Sequence, residues 1–114
     1  MRGLTPFISQ WSKDPIDDEW LFERFRNSAI KCMSPAEAFE AVGETVSVLV
    51  QQVDESTATE VVETLITLAR HSDTAEVHPS LLKHVSDLVE QFAPYGDYAR
   101  GKLEELLRLY RLIK

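Results

Sequence analysis

Residues 34–53, SPAEAFEAVGETVSVLVQQV, decide the fold, and they open with Ser34-Pro35-Ala36-Glu37. A serine, proline at the first helical position and a glutamate three residues after the serine make the reciprocal pairing of a capping box. Behind it Phe39, Val42, Val46, Leu49 and Val53 recur at alternating steps of three and four, with Ala38 and Val50 broadening the stripe. Side chains three or four residues apart share one face of a helix, whereas a strand alternates every two. Gly43 lies inside this helix and costs up to about 1 kcal/mol relative to alanine. Close approach of a neighbouring helix would account for it.

Working outward, Thr57-Ala58-Thr59-Glu60 reads as a second capping box after the link Asp54-Glu55-Ser56. Val61, Val62, Leu65, Ile66, Leu68 and Ala69 then form a wide apolar face. The valines and threonines favour strand locally, but periodicity and the cap outweigh that weak preference. A third helix starts at His78-Pro79-Ser80 and places Leu81, Leu82, Val85, Leu88, Val89 and Phe92 on one side. Pro94-Tyr95-Gly96-Asp97 reads as a turn, and Asp97 caps a last helix with Ala99, Leu103, Leu106, Leu107 and Tyr110 inward. Upstream, Asp17 or Asp18 caps a helix through Trp20, Leu21 and Phe25 to about Ala29, and a short turn covers Pro6 to Trp11, closed by Asp14-Pro15.

These signals predict an all-α fold in one domain. Helices at 34–53, 57–71, 79–93 and 97–113 carry an aromatic-rich segment, 1–33, which holds half of the ten aromatic residues. Short links make consecutive helices antiparallel neighbours. Five or six helices then form either a compact up-and-down bundle or a short HEAT-like α-solenoid, since two helices span about 40 residues.

Charge is distributed unevenly. Between Ser34 and Ala99 stand twelve carboxylates against Arg70 and Lys83, whereas residues 1–33 carry five of each sign and the last fifteen carry five basic and two acidic groups. The whole chain has a formal charge of −7. Such a field repels nucleic acid and anionic membranes and attracts a basic protein over about 8 Å at physiological salt. No apolar run reaches the about 18–20 residues of a membrane helix, and the first residues lack the apolar centre of a signal peptide. Cys32 is the only cysteine, so no internal disulfide forms, and a lone thiol suits a reducing, cytoplasmic compartment.

Three candidate chemistries have simpler readings. His71, Asp73, Glu76 and His78, with His84 a turn on, match no zinc spacing; they read as a helix end, a polar link and the start of the next helix. Asp17, Asp18 and Glu19, with Glu23 a turn later, read as an acidic first turn. Cys32 reads as a small packed residue rather than a nucleophile. Catalytic residues, metal ligands and cofactors are therefore not expected.

The acidic surface is the stronger lead. Glu37, Glu40 and Glu44 share one face of their helix with Ala41 and Val48 beside them, and Glu60 and Glu63 lie on the polar face of the next. If the two helices pair through their apolar stripes, these carboxylates point to solvent on a common side. Too few basic groups accompany them for i,i+4 neutralisation. The expectation is a non-catalytic, acidic helical binding protein with a basic partner, most concretely a bacterial immunity protein or antitoxin that neutralises a toxin such as a nuclease. Its contact residues would be Glu37, Glu40, Glu44, Val48, Glu60 and Glu63, with Trp11, Trp20 or Tyr95 as anchors where exposed. The alternative is a helical adaptor or scaffold subunit, homodimeric through Leu109 and Leu112 of the C-terminal helix, where Ile113 extends the apolar run.

Overall fold

The computed structural model describes residues 21–52, 54–72 and 76–112. Among the described residues five α-helices follow one another: α1 (Leu21–Lys31), α2 (Pro35–Leu49), α3 (Glu55–His71), α4 (Pro79–Phe92) and α5 (Asp97–Leu109). No strand occurs among the described residues, so the fold is all-α. None of these helices is long and apolar enough to cross a membrane.

Each start has a local cause. At α2 the capping box forms as read: the Glu37 N–H donates to Ser34 Oγ at 3.1 Å and the Ser34 N–H donates to Glu37 Oε1 at 3.0 Å. Its end comes earlier than residue 53. The Gln91 side chain of α4 donates to the carbonyls of Leu49 and Gln52 at 2.9 and 3.0 Å, satisfying groups that continued helix would otherwise occupy. Val53 lies outside the described residues.

Two caps differ from expectation. Helix α3 starts not at Thr57 but at Glu55, because Asp54 takes the cap: its Oδ2 accepts from the Thr57 N–H and the Thr57 hydroxyl, both at 2.9 Å. A carboxylate accepts more strongly than a hydroxyl and suits the positive end of the helix dipole. At α5 the cap is Gly96, and Asp97 instead occupies the first turn, paired with Arg100.

Helix α5 also stops short of residue 113. Arg111 turns left-handed at φ 58°, its N–H donates to the Arg108 carbonyl at 2.9 Å, and the Leu112 N–H donates to the Leu107 carbonyl at 2.8 Å. This is a Schellman ending with arginine where glycine is usual. It turns Leu112 back against the core.

The packing order sets the architecture. Helix α3 is central, packing most extensively on α2 and then on α5, with α1 also against it; α4 lies against α2 and α5. Contacts thus join α1, α2 and α3 each to the helix after next, and among consecutive helices α2 packs on α3 and α4 on α5. Two rows result, α2 with α4 and α1 with α3 and α5, giving extents of 35 × 35 × 19 Å. The thin dimension matches two helix layers of about 10 Å each. Ala58, Val61, Val62, Leu65 and Leu68 of α3 are fully buried, and each valine or leucine contributes roughly 1.5–3 kcal/mol over exposure. The threonines survive in this helix because Thr59, Thr64 and Thr67 hydroxyls donate to carbonyls four residues back at 2.8–3.0 Å.

Row geometry accounts for Gly43 and corrects α4. The ring of His78, which starts α4, abuts Gly43: a Cβ there would sit 2.5 Å from His78 Cε1. The close neighbour is therefore a side chain, not a helix backbone. On α4, Leu81, Leu88 and Phe92 are buried, but Leu82 and Val89 are exposed, contrary to their expected inward placement. Among the described residues α4 ends its row and is covered on the side facing α2 and α5.

Candidate functional site

Carboxylates of the acidic stretch separate into two environments. On α2, Glu37, Glu40 and Glu44 are exposed on the flank away from α4. They rim a groove of about 720 Å³ whose apolar walls are Ala29 of α1, Met33 of the α1–α2 link, and Ala36 and Ala41 of α2. The volume lies within the about 300–1,000 Å³ usual for binding pockets. Small side chains leave the floor low, and three negative charges stand above it. Val48, a turn beyond Glu44, is half-buried against the core and does not line the groove. Glu37 also serves the capping box. The Ser34 backbone N–H, then the Ser34 hydroxyl, holds its carboxyl below the ordinary 4.5.

Glu60 and Glu63 do not join that surface. Arg26 of α1, 5% exposed, reaches across to α3. Its Nη1 donates to the Glu60 carbonyl and to Glu60 Oε2, each at 3.3 Å, and its Nη2 to Glu63 Oε2 at 3.5 Å. From the other side Tyr98 of α5 donates its hydroxyl to Glu63 Oε1 at 2.9 Å, and Lys102 Nζ stands 3.7 Å from the same oxygen. That hydrogen bond, with burial, raises the phenol pKa above its ordinary 10.0. Burial works against the Lys102 charge, yet Glu105 and Glu63 together hold its pKa above 10.5. A further pair, Arg70 with Glu105 at 3.3 Å, completes a chain of alternating charge. Glu60 and Glu63 therefore tie α1, α3 and α5 together.

Sequence reasoning missed Arg26. Its signal was present: Phe22, Arg26 and Ile30 are spaced four apart, so the arginine sits on an apolar stripe. A cation there needs a buried partner.

The histidines point to separate tasks. His71 Nε2 donates to the Met33 carbonyl at 2.6 Å, fixing the α1–α2 link to the end of α3. His78 Nδ1 accepts the Ser80 N–H at 3.1 Å, and its ring packs on Phe39 with centroids 5.2 Å apart. His84 pairs with Asp87 on its own helix at 3.0 Å. Among the described residues no three His, Cys, Asp or Glu side chains are grouped to hold a metal ion. Asp73, the Asp17–Glu19 cluster, Trp11 and Trp20 lie outside the described residues, as does the Glu23 side chain. Cys32 is exposed rather than packed. Tyr95 is half-buried, edge-on to Phe92 at 5.0 Å, and so is held by the core rather than presented as an anchor.

Comparison with protein-family models, with curated proteins and with solved structures gives no match to this chain.

Proposed function

We propose that this chain is a protein-binding module without chemistry of its own, and that the α2 flank above the Ala29–Met33 groove receives a basic protein surface. The observation that carries this reading is the groove itself: three exposed carboxylates at helical spacing around an apolar floor. Charge above the floor speeds encounter with a cationic partner, and a desolvated apolar contact on the floor slows release. The concrete form is an immunity protein or antitoxin, which occludes the cationic active-site face of a toxin such as a nuclease. The exposed free thiol of Cys32 suits a reducing, cytoplasmic setting. Val48, Glu60 and Glu63 drop out of the contact set, and Ala29, Met33, Ala36 and Ala41 enter it.

The test uses an amphipathic helical peptide of lysine and leucine as a stand-in for the basic surface. Its association rate is measured at low and high salt for the wild type and for Glu37→Gln/Glu40→Gln/Glu44→Gln. Glutamine keeps an acceptor for the capping box, so the fold is retained. The expected rate falls by about tenfold or more with salt, and the triple variant loses most of that dependence. A rate indifferent to salt, or a triple variant behaving as wild type, rejects the reading. Affinity capture from the native host should then recover a basic protein with the wild type and not with the triple variant.

A further inference from the structure

Among the described residues the row formed by α2 and α4 stops at α4, where an apolar strip is exposed. Leu82 is 59% and Val89 50% exposed; they lie seven residues apart and stack two turns apart on one face. Ala93 below them is exposed and Val85 between them is half-buried. Gln91, bonded to the end of α2, marks the opposite side of α4. Helical geometry puts Leu82 and Val89 about half a turn from it, so the strip faces the open end of the row.

Charges beside the strip name what fits on it. Lys83 and Glu90 lie on one edge, seven residues apart, with Ser86 between them, and all three are exposed. Asp87 is engaged by His84 on its own helix. An antiparallel pairing of two α4 helices about a two-fold axis near Ser86 brings like edges together. Lys83 then stands against Glu90 of the second copy, Glu90 against its Lys83, and Leu82 against its Val89. A parallel pairing would bring unlike edges together, so Lys83 and Glu90 of the two copies would not meet. Serine at the crossing is small enough for the helices to come close.

We propose that this flank of α4 is a self-association face, on which a second copy of the chain docks its own α4 antiparallel. The row then continues across the two-fold axis as α2, α4, α4, α2. The sequence placed such a seam on the C-terminal helix, but the Schellman ending turns Leu112 back onto the core, and Leu109 alone is no surface. One helix pair falls below the about 1,200 Å² of a standard interface, so the dimer is weak and forms at high concentration. The groove lies on the far flank of α2, so either surface can fail without the other.

Sedimentation of the full chain over roughly 20 μM to 1 mM tests it, with far-UV circular dichroism to show that each variant is folded. The wild type should pass from monomer toward dimer. Leu82→Ser/Val89→Ser should remain monomeric throughout. Lys83→Glu should weaken the dimer by roughly threefold to tenfold, and Lys83→Glu/Glu90→Lys should restore it to within about twofold. A wild type monomeric at every concentration overturns the proposal, as does a dimer indifferent to Leu82→Ser/Val89→Ser. A charge swap that fails to restore overturns the antiparallel pairing.

Discussion

Glu37 with Glu40 on α2 and Glu60 with Glu63 on α3 have the same charge and the same three-residue spacing, yet they do opposite things. The first pair, with Glu44, stands in solvent above a groove; the second grips a buried arginine and a tyrosine. Spacing is not what separates them. Position in the packing order is, since α3 has neighbours on three sides and α2 has an open flank. A glutamate on a central helix acquires partners from the helices that cover it, here Arg26 and Lys102. A glutamate on an edge flank keeps its carboxylate exposed at the surface.

The sharpest way to break this contrast is Arg26→Ala. It removes the buried cation that bridges two half-buried carboxylates, leaving Glu63 with Lys102 and Tyr98, and should cost roughly 2–4 kcal/mol in urea unfolding. Glu40→Gln/Glu44→Gln should change stability by less than about 0.5 kcal/mol. Equal losses from the two would erase the distinction between clamp and surface.

The two flanks of α2 can be contrasted within one helix. Gly43→Ala drives a methyl group into the His78 ring and dislodges the cap of α4, at a cost of about 1–3 kcal/mol despite the better helix propensity of alanine. Glu44→Ala, one residue on but on the open flank, should be near neutral. A stabilised Gly43→Ala would mean that the ring moves aside freely.

A smaller effect, of opposite sign, is expected at the end of α5. Arg111→Gly relieves a left-handed residue at the Schellman position and should raise stability by roughly 0.5–1 kcal/mol. No gain in thermal unfolding would show that arginine is unstrained there.

The smallest effect is the pH response of the open flank. The Glu37 carboxyl is held below its ordinary 4.5 by the Ser34 backbone and hydroxyl. Its contribution is therefore present above about pH 4.5 and is lost as pH falls through the lower folded value. Glu37→Gln should remove that part of the acid sensitivity. Unfolding curves of the two proteins at pH 7 and pH 3 check it, and identical acid losses would contradict it.

Much of the fold was legible because its signals are local. The Ser34 box, the proline starts of α2 and α4 and the apolar stripes need no knowledge of distant residues. What misled were competing local signals, Asp54 outranking Thr57 and Gly96 preceding Asp97 at helix starts. Long-range facts were less legible. That α4 ends a row, and so exposes Leu82 and Val89, depends on which helices cover it. Glu37, Glu40 and Glu44 face solvent as their helical spacing implied. Glu60 and Glu63 do not, because their partner Arg26 stands 34 residues from Glu60. A cation on an apolar stripe was the one clue, and it names no partner.

Chemical-shift mapping of the ¹⁵N-labelled protein with the lysine–leucine peptide tests the acidic-groove account most directly. Perturbations should concentrate at Ala29, Met33 and residues 36–44, and vanish in Glu37→Gln/Glu40→Gln/Glu44→Gln. Shifts spread evenly over the surface, or centred on Glu60 and Glu63, would contradict it.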